Sequence, residues 1–409
     1  MDVQKTASES YHLYGSVQEL KVSAATGKVV IEQSAVVVNF AESAGATITS
    51  AGTVLKNSTS NTSITVATQY EIKTVDQLKA FRDYVNSGVE FTVPIEIKED
   101  IDLSNESWQP IGTAEHPFYG TINGNGKTIT GLSNGTISST KDAFTTKTTK
   151  SYGSAYGFIG LAGAPVADKT LSISNLKFAD VNIALEEYGN CVGTLIGYAM
   201  DDSHFADFQG NTRKGLAKVT LHNIEVLSGK VAGNNNVGGL IGKSYATETD
   251  IENCKNGATV SAKKSVSSGR AAGIMSFTNS AKLTIKGSSN SGSVSAPKYL
   301  GGIVSVEYLE NTVVDFVVKN NNNSGKLIFT GTSQNDCKAA LIVNASSHNW
   351  SGVASTSKYD FGDSKSKNTS SIDKIEMPNV GDGTQKETAI YVQIAQGGTD
   401  EANGTSVTK

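Results

Sequence analysis

Gly239-Leu-Ile-Gly242 is one of a series in which two apolar residues sit between small ones. The others are Gly157-Phe-Ile-Gly160, Thr194-Leu-Ile-Gly197, Gly273-Ile-Met-Ser276, Gly302-Ile-Val-Ser305 and the looser Ala340-Leu-Ile-Val343. Between them runs a second landmark, an apolar residue two positions ahead of Asn. It occurs as Ile173 with Asn175, Leu221 with Asn223, Ile251 with Asn253 and Val318 with Asn320, and Ile285 with Gly287 fits the same place. The two landmarks alternate strictly. From the second to the end of the next first one the chain advances 20 to 25 residues (173 to 197, 221 to 242, 251 to 276, 285 to 305, 318 to 343). A full turn takes about 30 to 48 residues, which predicts an all-β chain wound as a parallel β-solenoid, each coil pairing with the next.

The composition agrees with stacked coils. Of 409 residues 41 are Gly and only 6 are Pro, and charged residues make up 18%. Gly closes tight corners, whereas Pro would delete a ladder hydrogen bond from a strand paired on both sides. Collagen is excluded by the absence of a G-X-Y period, and a charged coiled coil by the low charge. Disorder is excluded by 38% apolar residues arranged in alternating runs. Stacking also predicts two amide ladders, one of Asn175, Asn223, Asn253 and Asn320 and one of Asn256, Asn290 and Asn323, since Asn tolerates left-handed corners and can bond from coil to coil. A glycan- or metal-binding Asn row is the functional alternative.

The net charge of −4, from 35 basic and 39 acidic residues, offers no footprint for nucleic acid or an acidic membrane surface. Apolar runs such as 35–40 are far too short to span a bilayer. The opening Met1-Asp-Val-Gln-Lys5 is not a signal peptide and reads as a mature or trimmed start. The three cysteines cannot all pair. Cys191 and Cys337 align four coils apart, roughly 19 Å at about 4.8 Å per coil, beyond disulfide reach, and Cys254 falls on another strand, so free thiols are expected. Nothing in the sequence calls for a cofactor or a metal.

One helix is punctuated. Thr74-Val-Asp-Gln77 is a capping box, Leu78, Phe81 and Val85 recur at helical spacing, and Asn86-Ser-Gly88 ends the run. The helix is expected to lay its apolar face over the open end of the first coil, which would otherwise expose strand edges.

From Tyr70 to Leu132 the residues carry a resemblance. The run holds Tyr70-Glu-Ile72, the capped helix, Asp100-Ile-Asp102-Leu103, Trp108-Gln-Pro-Ile-Gly-Thr113 and Pro117-Phe-Tyr-Gly120, closing in Gly124-Asn-Gly-Lys-Thr-Ile129. It resembles the opening of bacterial surface proteins with GLUG-type repeats, and Gly239-Leu-Ile-Gly242 resembles the repeat itself. The resemblance implies a right-handed parallel β-helix, exported and held at the cell surface, adhesin-like, with no shared reaction or ligand. The family pattern has Asp in the Asp-Gly-Asn-Gly turn where this chain has Asn123. The division expected is a β-rich segment at 1–69, either an accessory sheet or part of a β-sandwich, a β-helix at 70–395 with a capping helix near 74–87, and a flexible tail at 396–409.

Several motifs fail for chemistry. Gly124-Asn-Gly126-Lys127-Thr128 has Thr121 where a phosphate loop needs Gly, and a strand pattern follows where a helix is required. Asp360-Phe-Gly362 lacks every other element of a kinase site. Asp100 and Asp102 suit turns better than paired catalysis. The strongest candidate is the excursion after Gly197, where Asp201, Asp202, His204, Phe205, Asp207 and Phe208 offer carboxylates, an imidazole and two rings that could grip a sugar or a calcium ion or act on a polysaccharide, the plainer reading being a solvated loop with both rings packed on the coil wall. Trp350 and Tyr359 form a second candidate ligand-binding patch, and no residue is singled out as catalytic. The expected function is a non-enzymatic, monomeric, extracellular surface protein whose loops bind a host or microbial glycan or a surface or matrix protein. The alternative is a polysaccharide-active lyase or hydrolase, by analogy of fold alone.

Overall fold

The computed structural model describes residues 1–3, 10–23, 28–33, 35–42, 47–59, 64–135, 155–164, 168–187, 189–200, 216–263, 268–306, 315–345, 358–362, 365–380, 385–388, 392–394 and 406–408. From Tyr70 onward the chain is a β-helix-like solenoid of stacked parallel strands. Each coil passes through a long strand such as Lys218–Val226, then Gly229–Gly233, then the short Asn236–Gly238 and Ile241–Ser244, before it rises to the next coil. The second landmarks stack in register: Ile173 faces Leu221, and the row continues through Ile251, Ile285 and Val318.

Burial along Lys218–Val226 explains why Asn follows two residues behind the apolar one. Val219 and Leu221 point inward, and so do Ile224 and Val226, so the alternation slips by one residue across the corner. Asn223 absorbs that slip with φ 55°, as do Asn175 (54°), Asn253 (55°) and Asn320 (57°), while Gly287 holds the same corner at 60°. Left-handed backbone is costly for residues other than Gly, Asn and Asp, so the corner selects its residue.

The first landmark has a different cause. A Cβ on Gly239 would lie 2.0 Å from the Gly273 carbonyl oxygen, and one on Gly273 would lie 2.2 Å from that of Gly302. The register corrects one detail here. Gly301 faces Ala340 and Val304 faces Val343, so Leu341-Ile-Val-Asn344 is the true counterpart of Gly302–Ser305, one residue later than the sequence frame. Cys191 accordingly stacks toward Asn236, Arg270, Tyr299 and Lys338, and Cys337 lies one residue off that row, half-buried. None of the three cysteines is in a disulfide, and burial pushes the Cys254 thiol up to about 12 and raises that of Cys191.

The helix α1 spans Val75–Asn86. Its Gln77 amide donates to Thr74 Oγ1 at 3.2 Å, and the Gln77 side chain accepts from the Lys73 amide at 2.7 Å, one residue earlier than an ideal capping box. Leu78, Phe81 and Val85 are buried in the solenoid core, and the Phe81 ring meets those of Tyr70, Phe91 and Phe118 at 4.9 to 6.0 Å. That contact sits beside Tyr70–Ile72, the first strand of the long sheet.

Residues 1–59 form two further parallel sheets around a core of their own, with Leu20, Val22, Ile31, Val37 and Phe40 inside. Partners recur every 17 to 20 residues, as Val36 with Thr53, Lys28 with Thr47 and Ser16 with Val36, so this segment is a smaller coil stack of wholly parallel pairs. A sandwich of hairpins would pair antiparallel. Ser16 Oγ bonds Tyr84 OH and Gln18 Nε2 donates to the Gly88 carbonyl, which ties the segment to α1. At the other end Lys374–Met377 pairs antiparallel with Gln385–Thr388. Ser406–Thr408, within the expected flexible tail, pairs antiparallel with Lys358–Asp360. Among the described residues no helix is long and apolar enough to cross a membrane.

Candidate functional site

Asp201, Asp202, His204, Phe205, Asp207, Phe208 and Trp350 lie outside the described residues. What the structure does place is the neck of the excursion, where the Leu216 amide donates to the Met200 carbonyl at 3.1 Å. The chain therefore leaves and rejoins the solenoid at one point. Tyr359 belongs to Lys358–Asp360, whose backbone pairs with Asp315–Val317.

The two carboxylates weighed as a pair serve turns. Asp100 Oδ1 accepts from the Thr128 amide at 2.8 Å, and Asp102 Oδ1 accepts from the Ser104 amide and hydroxyl at 2.9 and 2.6 Å. Those Ser104 bonds hold the Asp102 carboxyl below its usual range. Among the described residues no three His, Cys, Asp or Glu side chains converge as a metal site.

Three surfaces run along the solenoid axis. The first is the outer face of the long sheet, where opposite charges alternate from coil to coil. Lys218 Nζ lies 2.8 Å from Glu248 and 3.3 Å from Asp250, and Lys282 lies 3.1 Å from Glu248. Lys319 and Asp360 meet at 2.6 Å further along. The Lys218 hydrogen bond leads in holding the Glu248 carboxyl below its ordinary range, and the same bond raises Lys218.

The second is a groove of about 410 Å³ at the left-handed corners, lined by Gly126, Asn175, Lys177, Asn223, Glu225, Asn253 and Lys255. Asn175 Nδ2 donates to Asn123 Oδ1 at 3.2 Å, and Asn223 Nδ2 to Asn175 Oδ1 at 3.1 Å. Of the predicted outer ladder the Asn175–Asn223 link forms, and Asn123, outside the predicted row, extends it by one coil; no side-chain bond carries it on to Asn253 among the described residues. The inner ladder is the stronger one: Asn256 donates to Asn290 and Asn290 to Asn323, both at 2.8 Å and fully buried.

The third surface was missed in the sequence. Tyr198, Lys243 and Phe277 stack in register on the short strands that follow the first landmark. Lys243 Nζ sits 4.3 Å from the Phe277 ring centre, 4.6 Å from that of Tyr245 and 5.5 Å from that of Tyr198. Arg270 lies between Phe277 at 5.2 Å and Tyr299 at 4.6 Å. Desolvated contacts of this kind are worth up to about 2 kcal/mol each. Tyr198, Lys243, Arg270 and Phe277 are all buried, so the row ties the coils together and presents little to a ligand. The available signal was positional, since Tyr198, Lys243 and Phe277 each directly follow a landmark's last residue.

No family model matches the chain. A protein of Evansella cellulosilytica, provisionally named a Gly-rich membrane protein, is 26% identical over 194 residues. The match covers 44% of this chain and 20% of that protein, so the chain corresponds to about a fifth of its relative's length. A solved structure from Bacteroides ovatus, provisionally named an immunoglobulin A1 protease, superposes with a TM-score of 0.49 at 18% identity, covering 82% of each chain.

Proposed function

We propose that this chain is a non-enzymatic module of a bacterial surface protein, adhesin-like, in which a right-handed β-helix of the GLUG-repeat kind displays binding surfaces outside the cell. The ligand is a glycan or a surface protein, and the chain works as a monomer. The observation that carries the reading is the state of the outward carboxylates. Glu248 and Asp250 with Lys218 are a place where two carboxylates and a base meet across adjacent coils. A hydrolase needs one carboxyl raised so that it can donate a proton, and a lyase needs a base lowered so that it can accept one. Here Glu248 is lowered and Lys218 raised, each by the other. The ion pairs stiffen a rod and disarm the groups that chemistry would use. Its right-handed winding accords with the strong preference of parallel crossovers.

The polysaccharide-active reading keeps one argument, the fold itself. Both readings separate in one experiment. The purified protein is incubated with a glycan array and with matrix proteins, and soluble polysaccharides are assayed for new reducing ends and unsaturated products. Binding without product is expected; product formed above background and abolished by Glu248→Gln overturns the display reading.

A further inference from the structure

The two amide ladders differ in a way that points to a ligand. The inner one is buried, and each member is also tied to its own coil: Asn256, Asn290 and Asn323 donate to the carbonyls of Ala258, Gly292 and Gly325 at 2.9, 2.9 and 3.2 Å. The outer one is half-buried at Asn175 and exposed at Asn223 and Asn253. It also stops. Asn223 donates to Asn175, yet no side-chain hydrogen bond joins Asn253 to Asn223 among the described residues. The Asn223 carbonyl oxygen and the Asn253 carboxamide therefore face the groove with bonding capacity in hand. Both corners are already bent by their left-handed backbone, and Gly287 holds the next corner with no side chain. The amides at 223 and 253 are thus not needed for the turn.

From this contrast we infer that the corner groove binds an extended, uncharged, β-linked polysaccharide lying along the solenoid axis; the inference rests on the display reading above. Carboxamides pair with sugar hydroxyls as both donor and acceptor. Coils repeat about every 4.8 Å, close to the ring-to-ring repeat of an extended β-linked hexose chain, so successive rings would meet successive corners. The charges choose the ligand class. Lys177 and Lys255 bracket Glu225, with Lys255 and Glu225 3.6 Å apart, so the groove alternates in sign and gives a polyanion no continuous partner. Alternating charged groups do suit hydroxyls, which accept from lysine and donate to glutamate.

The test uses the whole chain and two probes, a β-1,4-linked glucose hexamer and polygalacturonate, measured by calorimetry. Asn223→Gly with Asn253→Gly removes both carboxamides and keeps residues that tolerate the corner. The hexamer should bind the wild type, the double variant should bind it about tenfold more weakly with an unchanged melting temperature, and polygalacturonate should bind less well than the hexamer. Glu225→Gln, which leaves the corner backbone alone, should also weaken the hexamer and guards against a folding defect in the double variant. A wild type that does not bind the hexamer, variants that bind it as the wild type does, or a preference for polygalacturonate overturns the groove. Hexamer cleavage by the wild type would instead sink the display reading, so the two failures are distinct.

Discussion

The carboxamide of Asn290 lies against the bare Cα of Gly273: a methyl group added there would sit 2.4 Å from Asn290 Cγ. The same relation joins Gly239 to Asn256 at 2.6 Å and Gly302 to the Asn323 amide nitrogen at 2.7 Å. The buried amide row and the Gly of the first landmark are thus two sides of one contact. A side chain on the Gly would push the amide out of line, and loss of the amide would strand its neighbours.

Asn290→Leu should therefore destabilise the chain by about 2–3 kcal/mol. It removes the acceptor of Asn256 and the donor to Asn323 from a site with no access to water. Urea unfolding of the variant measures the loss, and a change below about 0.5 kcal/mol, the range of an ordinary surface substitution, would show that the row is incidental.

Gly273→Ala tests the other side. The new methyl would meet the Gly302 carbonyl oxygen and the Asn290 side chain, both fixed by their own pairing. The expected cost is about 3 kcal/mol, at the upper end of overpacking effects. Gly126→Ala is the control for added bulk, since nothing lies within 4 Å of its Cβ position. With φ 74° it carries backbone strain alone, expected to cost about 1–2 kcal/mol.

The α1 contact predicts an association phenotype. Phe81→Ala should cost about 3–5 kcal/mol as a large buried ring is lost. Leu78→Asp with Phe81→Asp should go further, lifting the helix from the first strands and leaving their edges open to a second molecule. Light scattering after size exclusion should then report oligomers or aggregates; a monomeric double variant of wild-type stability would remove α1 from its capping role.

The charged face predicts an acid response. Glu248 titrates lower in the folded chain than unfolded, so its contribution is complete above the unfolded carboxylate value of about 4.3 and is lost as pH falls through the folded value. With solvent screening the pairs at Glu248, Lys218 and Lys282, Glu248→Gln should cost about 0.5–1 kcal/mol at neutral pH. Its stability should also fall less steeply than that of the wild type between about pH 5 and 3. Parallel denaturation series across that range decide it; identical slopes would mean that the pairs are too exposed to matter.

Much of the coil stack was legible because its corners need particular residues. Asn175, Asn223, Asn253 and Asn320 are all left-handed, and their place two residues behind an apolar one marks the register of the long sheet. Thr74 and Gln77 marked α1 through hydrogen bonds that are local in sequence. Legibility ended where a landmark loosened. Ala340 and Leu341 are interchangeable by composition, and only pairing with Gly301 and Gly302 showed which was which. The small stack at 1–59 carries no Gly-x-x-Gly signal, and its Asn39 and Asn57 are not left-handed, although Lys28-Val-Val-Ile31 and Thr47-Ile-Thr-Ser50 lie 19 residues apart in register.

By itself the sequence determined the coils, the corners and the helix, because left-handed backbone, close carbonyl approach and helix ends each admit few residue types. Tertiary structure decided what meets on the outside: Lys243 among three rings, Glu248 between two lysines, and an outer amide row that stops at Asn223 while the inner one runs on. Apart from Tyr245, two residues beyond Lys243, these partners lie a whole coil apart in the chain. No local preference selects them, so they exist only once the register has brought the coils together.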